Sequence, residues 1–164
     1  MKEITPFLWF DARAEEAAEF YVSVVPRSRI VDVVRYGSAG PGEPGSVMTV
    51  AFELNGRPFV ALNGGPEFSF TEAVSFAIEC ETQAEVDELW DRLVEGGGEH
   101  GPCGWLKDRF GLSWQVVPSE LQQLLRDPDP DRSQRVMAAM LKMGKIEVEP
   151  LRRAYEGTGA HASA

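Results

Sequence analysis

The order of apolar and polar positions in the first 62 residues predicts a strand, a helix and then three strands. Residues 4–10 form a nearly continuous apolar stretch, which is typical of a buried strand. The residues after Asp11 repeat apolar side chains at helical spacing, which predicts an amphipathic helix that ends at Pro26. A Gly/Pro-rich loop and Asn55-Gly56, a strong signal for a β-hairpin, separate the apolar runs that follow. These predicted strands span residues 28–36, 47–54 and 57–62.

The same order of elements restarts near residue 73. Residues 73–80 predict another apolar strand, and the helix after it begins with Thr82 and Glu85 in the arrangement of a capping box. Residues 104–118 then have the pattern of a strand, a tight turn and a strand. A shift of 69 residues superposes Phe7 on Phe76 and aligns the inward positions of the two helices. The aligned helix pairs are Ala17 with Val86, Phe20 with Leu89, Tyr21 with Trp90 and Val24 with Leu93.

A strand–helix–strands unit that occurs twice predicts an α+β fold made of paired βαβββ modules. Each antiparallel-rich sheet buries one face under its helix, and we expect its other face to curve around a central cavity. We expect a first half over residues 1–63, a second half over 64–118, a helical extension over 119–156 and a disordered tail over 157–164.

Composition and charge limit the partners of the chain. Its 26 acidic and 16 basic residues give a formal net charge of −10, and the pI is near 4.7. This balance argues against nucleic acid and against an anionic membrane surface, because both are bound through clustered Lys and Arg. Neither a bilayer-spanning apolar run nor a signal-peptide pattern is present, so we expect no membrane partner. Cys80 and Cys103 follow no disulfide framework, which favours reduced thiols and a cytoplasmic location.

Four stretches carry a resemblance to a known family: "FLWFD…AEEAAEFY", "SVMTVAFELNGRPFVALNGGP", "AVSFAIECETQAEVDELWDRL" and "GPCGWLKDRFGLSWQVVP". Through them the chain resembles the vicinal-oxygen-chelate (glyoxalase/bleomycin resistance/dioxygenase) superfamily. Within that superfamily it is similar to the PhnB-like, demethylubiquinone methyltransferase-like family. The resemblance implies paired βαβββ modules and a homodimer.

The resemblance also implies where a metal would be held in metal-using relatives, namely on the first and last strands of each half. Those positions in this sequence are Pro6, Val60, Ser75 and Gln115. Pro and Val cannot bind a cation and a neutral hydroxyl binds weakly, so only Gln115 offers a usable oxygen. We therefore expect neither a metal nor another cofactor. A methyltransferase function is not supported either. A Rossmann-type cofactor site needs a Gly-rich turn between a strand and a helix, and no such turn follows the first strand.

The predicted ligand site follows from strand alternation. If Phe7, Trp9, Phe76, Ile78, Trp114 and Val116 face the helices, their neighbours line the cavity. The lining is mostly apolar with a few polar groups, as in small-molecule pockets. Gln115 then orients a ligand, bonds Ser75, or satisfies a neighbouring backbone group. In addition, the turn that begins at Asn63 is expected to place this residue at the cavity mouth, and Trp105 lies near a strand that could wall the pocket. The candidate ligand-binding residues are Phe10, Val60, Asn63, Ser75, Ala77, Trp105, Ser113 and Gln115.

These observations favour a metal-free protein that binds a small aromatic or amphipathic molecule in a cavity between the halves. One alternative is a metal-dependent lyase or dioxygenase that uses Gln115, although the spacing of Glu53, Glu79 and His100 does not favour a site built from them. Another alternative is a structural or regulatory homodimer whose cavity is filled by its own aromatic side chains. The sequence assigns no catalytic residue. A nucleophilic Cys103 would need a base or cation to lower its pKa, and His100 and Lys107 are near it in sequence, but strand geometry disfavours their contact.

Overall fold

A strand–helix–three-strand order occurs twice in the computed structural model, which describes residues 4–158. The first copy comprises β1 (Phe7–Phe10), α1 (Ala14–Val24), β2 (Arg29–Arg35), β3 (Val47–Leu54) and β4 (Arg57–Asn63). The second comprises β5 (Ser75–Cys80), α2 (Gln83–Arg92), β6 (Glu99–His100), β7 (Trp105–Lys107) and β8 (Ser113–Pro118). Three helices follow: α3 (Ser119–Leu125), α4 (Pro130–Met140) and α5 (Val148–Glu156). The predicted α+β class with paired βαβββ modules is therefore confirmed.

Each copy forms a four-stranded mixed sheet in its own compact unit, and the units divide between Phe70 and Thr71. The strand orders are β1-β4-β3-β2 and β5-β8-β7-β6. In each sheet the first and last strands of the module pair in parallel, and the remaining pairs are antiparallel. No helix within residues 4–158 has the length and apolar character needed to cross a membrane.

The core of the first unit lies between α1 and the middle of its sheet. Tyr21 of α1 stacks on Phe52 of β3 with ring centroids 6.2 Å apart, and Phe52 stacks on Phe59 of β4 at 5.5 Å. Ala17 and Ala18 are fully buried. Small side chains on this stripe of the helix allow close approach to the sheet, so the aromatic rings can fill the space between them.

The facing of β1 differs from the prediction. Leu8 and Phe10 are buried at 4% and 5% exposure, whereas Phe7 is 64% exposed. The expectation that Phe7 and Trp9 face the helix was wrong, and so was the placement of Phe10 on the opposite face. The reason is a one-residue difference between the copies. Their helices align at a shift of 69 residues, but the last buried strand positions, Phe10 and Cys80, are 70 residues apart. A slip of one residue moves every side chain of a strand to its other face.

In the second unit, the prediction that Trp114 and Val116 of β8 point toward the helix is confirmed. Trp114 and Val116 of β8 are buried on the side where α2 contacts β5 and β8. The predicted capping box at the start of α2 is also present. The Thr82 hydroxyl accepts a hydrogen bond from the Glu85 amide at 3.2 Å, and the Glu85 carboxylate accepts from the Thr82 amide at 3.2 Å. This reciprocal pair satisfies two amides that the first turn of a helix leaves without partners.

The C-terminal helices belong to the second unit and pack around their own apolar cluster of Leu121, Val136, Ile146 and Leu151. The segment between α4 and α5 is joined to the βαβββ module by backbone hydrogen bonds. The amides of Cys103 and Gly104 donate to the carbonyls of Met143 and Gly144 at 2.8 and 2.7 Å. The Gln83 side chain donates to the Ile146 carbonyl and accepts from the Val148 amide. The extension is thus attached through specific polar contacts as well as apolar packing.

Part of the predicted disordered tail, residues 159–164 with His161, lies outside the described residues. Gly157 ends α5 in the left-handed conformation, with φ of 76°. This is the usual role of glycine immediately after a helix.

The turn before β8 is built around a buried carboxylate. Asp108 accepts hydrogen bonds from the amides of Phe110 and Leu112 at 2.8 and 3.0 Å through one oxygen. Its other oxygen accepts from the Trp114 indole at 2.8 Å. Gly111 occupies the left-handed region in this turn, with φ of 87°. Hydrogen bonds to an ionised acceptor are stronger than those between neutral groups, so Asp108 fixes the register in which β8 begins.

We expect Asp108→Asn to lower the free energy of unfolding by about 2 kcal/mol, because the amide replaces one charged acceptor oxygen with a donor that faces another donor. Urea denaturation followed by tryptophan fluorescence measures this change. Asp32→Asn serves as the matched control, since Asp32 is exposed on β2. Equal stability of the two variants would contradict this role of Asp108.

Candidate functional site

Five of the eight predicted site residues lie on one surface, the face of the second sheet that points away from α2, here called the second outer face. Its two central rows follow from the strand register. Ser75, Ser113 and Lys107 lie side by side across β5, β8 and β7. Ala77, Gln115 and Trp105 form the adjacent row. The strand alternation predicted for β5 and β8 therefore brings these residues together.

Gln115 bonds its neighbour on the adjacent strand. Its amide Nε2 donates to the Ser75 Oγ at 2.9 Å. Among the described residues, the amide oxygen of Gln115 accepts no hydrogen bond. The Gln115–Ser75 bond, one of the three alternatives for Gln115, is therefore present, and it leaves a fixed carbonyl-type acceptor on this face.

Lys107 and Ser113, the two residues that share a row with Ser75, differ in environment. Lys107 lies 3.2 Å from Glu72 and 3.9 Å from Glu99, and the hydrogen bond to Glu72 raises the pKa of its ammonium. Its charge is therefore balanced within the unit. Ser113 is only 1% exposed, and its hydroxyl has no hydrogen-bond partner within residues 4–158. The uncharged polar side chains that are not fully buried are therefore Ser75 in this row and Gln115 in the adjacent row.

The corresponding face of the first sheet, the first outer face, is apolar and aromatic along β1 and β4. Register places Phe7 beside Val60 and Trp9 beside Leu62 on it. The Trp9 indole donates to the Gly65 carbonyl at 2.8 Å. Val60 thus lies on the predicted face, while Phe10 lies on the buried one. Phe7 and Trp9 were missed because the repeat alignment assigned them to the core.

Asn63 has a different role from that expected of a residue at a cavity mouth. Its Oδ1 accepts a hydrogen bond from the Ala14 amide at 2.8 Å, and its Nδ2 donates to the Val47 carbonyl at 3.0 Å. Arg13, the residue before α1, provides no side-chain cap. Asn63 therefore caps α1 from the end of β4, and its amide is already engaged with backbone groups.

The donor groups at the superfamily's metal positions do not fit a metal. In the first unit Pro6 and Val60 have no side-chain donor atoms. In the second unit Ser75 and Gln115 are hydrogen-bonded to each other. Across residues 4–158 no group of three or more His, Cys, Asp or Glu side chains is arranged to hold a metal ion. His100 instead stacks on Trp90, with ring centroids 4.5 Å apart and planes inclined by 2°.

Neither cysteine has the environment of a nucleophile. Burial raises the pKa of the Cys80 thiol to about 11, so this thiol is protonated at neutral pH. The Cys103 thiol donates to the Met140 carbonyl at 3.7 Å.

Comparisons with known proteins agree with this architecture. The family described as 3-demethylubiquinone-9 3-methyltransferase matches residues 2–117. A PhnB protein from Bacillus cereus is 36% identical, with a TM-score of 0.64, over 72% of this chain and all of its own. A structure from Pseudomonas aeruginosa shares the fold at 20% identity and a TM-score of 0.60, over 72% of this chain and 98% of its own. The fosfomycin resistance protein FosX from Listeria monocytogenes shares the fold at 14% identity and a TM-score of 0.50, over 75% of this chain and 97% of its own.

A comparison with curated proteins gives no match. The family match nevertheless spans both βαβββ modules and includes the second outer face. The chain therefore belongs to the 3-demethylubiquinone-9 3-methyltransferase family of PhnB-like proteins.

Proposed function

We propose that this protein binds a small aromatic or amphipathic molecule without a metal, at the second outer face. The observation that carries the proposal is the Gln115–Ser75 hydrogen bond, which presents the amide oxygen of Gln115 in a fixed orientation. A cytoplasmic location accompanies this proposal, supported by two cysteines that form no disulfide.

The surroundings of Gln115 suit an apolar ligand with one hydrogen-bond donor. Trp105 lies beside Gln115 on β7 and is half-buried, so part of its indole is available for stacking. Ala77 lies on the other side and is exposed, and its small side chain leaves space above the sheet. A few oriented polar groups within an apolar surface are the usual composition of a small-molecule site.

The proposal assigns no metal chemistry and no catalytic residue. A divalent cation in this superfamily would need three or more oxygen or nitrogen ligands. The second outer face offers one amide oxygen and one hydroxyl at the family positions, and both side chains are committed to each other. Binding is therefore favoured over the lyase or dioxygenase alternative.

We expect Gln115→Leu to weaken binding of a ligand from a panel of aromatic alcohols, phenols and amides by about ten-fold, the cost of one hydrogen bond within a preformed site. Ser75→Ala should weaken it by about three-fold, because the amide loses the bond that orients it. Thermal shift identifies the ligand, and isothermal titration calorimetry measures its affinity.

Gln134→Leu is the control for this experiment, since Gln134 is exposed on α4. A panel without a single stabilising compound would count against the proposed function. So would a ligand whose affinity is the same for the parent protein and for Gln115→Leu.

We expect the purified protein to retain no stoichiometric metal after equilibration with nickel, manganese, iron and zinc salts and desalting, because its donor set is incomplete. Elemental analysis by mass spectrometry provides the measurement. Near-stoichiometric retention that is lost in Gln115→Ala and kept in Gln134→Ala would refute the metal-free proposal.

We further propose that two chains associate, as the family resemblance implies. The first outer face supports this proposal because it exposes apolar side chains, with Phe7 64% and Val34 41% exposed. Exposed apolar surface of this kind is costly in water and is typical of an interface. Both residues lie on strands of one sheet, so an interface there would have a regular backbone beneath it.

Phe7→Ser is expected to shift the protein from dimer to monomer at micromolar concentration, because it removes the largest exposed apolar side chain of this face. Light scattering coupled to size-exclusion chromatography reports the mass. Val74→Ser, at an equally exposed apolar position outside the strands, is the control. A parent protein that is monomeric, or a Phe7→Ser protein that stays dimeric, argues against this interface.

A further inference from the structure

We propose that the first unit carries a second ligand site, a pocket that takes a small organic ammonium ion. The pocket lies where β1 and β4 end, where α1 begins, and beneath the loop that joins β2 to β3. Its volume is about 510 Å³, within the range of sites that hold small molecules. This site is independent of the second outer face, because all of its lining residues lie in the first unit.

The walls of the pocket are held in place by hydrogen bonds that do not involve a ligand. The Tyr36 hydroxyl donates to the Asn63 carbonyl at 2.8 Å, and the Asn63 amide joins the start of α1 to β3. The Gly64 amide donates to the Phe10 carbonyl at 2.9 Å. Because these bonds are already made, binding would need little ordering of the walls, which favours affinity for a small ligand.

The loop over the pocket packs directly on the Tyr36 ring. A Cβ atom at Gly42 would lie 2.3 Å from this ring, and one at Gly40 would lie 2.7 Å from it. Only a residue without a side chain permits such an approach. Glycine at positions 40 and 42 therefore allows the loop to pack closely against the Tyr36 ring.

The charges of the lining favour a cation. Asp11 and Glu15 both line the pocket, and the single lining cation, Arg35, lies 3.7 Å from Glu15. The Arg35 guanidinium also donates to the Gly45 carbonyl at 3.2 Å. Among the described residues, the Asp11 carboxylate has neither a hydrogen bond nor an ion pair. An ammonium group beside Asp11 would gain an ion pair without displacing an existing one.

The shape and composition favour an organic cation over a metal ion. Two carboxylates are fewer than a metal site normally uses, and one of them already faces Arg35. The volume is far larger than an ion needs. Val47 and Pro41 add apolar surface beside the carboxylates, which suits the hydrocarbon body of an amine.

The test uses 2-phenylethylammonium, with 2-phenylethanol as its neutral analogue of nearly equal size, and measures both by isothermal titration calorimetry. We expect the ammonium compound to bind in the millimolar range or tighter and the alcohol to bind about five-fold more weakly, as an accessible ion pair predicts. Asp11→Asn should weaken ammonium binding by a similar factor. Arg35→Gln should strengthen ammonium binding, because the variant lacks the guanidinium that pairs with Glu15 and competes with the ligand for this carboxylate.

Glu19→Gln is the matched control, since Glu19 is exposed on α1 and does not line the pocket. Gln115→Leu should leave the ammonium affinity unchanged, which separates this site from the one in the second unit. Far-ultraviolet circular dichroism checks that each variant is folded. Failure of 2-phenylethylammonium to bind at millimolar concentration would overturn the proposal, as would equal affinity for the alcohol or no effect of Asp11→Asn.

Discussion

Both candidate sites depend on the parallel pairing of the first and last strands of each module. In the second unit this pairing sets Ser75 opposite Ser113 and Ala77 opposite Gln115, so the Gln115 amide reaches the Ser75 hydroxyl two residues along the neighbouring strand. In the first unit it sets Phe10 opposite Asn63, and both strands end where α1 begins. A parallel pair brings the carboxyl ends of its strands to one edge of the sheet. The same constraint therefore creates a polar pair on one sheet and a pocket at the edge of the other.

Much of the fold could be predicted from the sequence because its signals are local. The helix positions that face the sheets recur at a period close to 3.6, and the Thr82–Glu85 capping box marks the start of α2 within four residues. The facing of β1 could not be predicted in this way. A strand of four residues has a weak pattern of its own, and the alignment of the two copies is out of phase there by one residue.

The site residues also divide into those that a local pattern predicts and those that depend on contacts between distant parts of the chain. Ser75, Ala77, Ser113 and Gln115 were assigned to one face by alternation, and strand register brings them together with Trp105. Asn63 could not be interpreted from the sequence, because the amide that it caps belongs to Ala14, 49 residues earlier. The pocket of the first unit likewise draws on residues from five separate segments between Asp11 and Gly65, and no spacing along the chain signals their convergence.

The way in which each helix is capped has a consequence for the order of folding. The cap of α2 comes from residues within its own first turn, so this helix can nucleate as soon as residues 82–93 are available. The cap of α1 comes from Asn63, so its first turn is completed only after β4 has joined the sheet. Closing a loop of this length costs entropy before any contact is gained, which slows the step. We therefore expect two helices that occupy equivalent places in the repeat to differ in kinetics: α2 can form early and locally, and α1 forms together with its sheet.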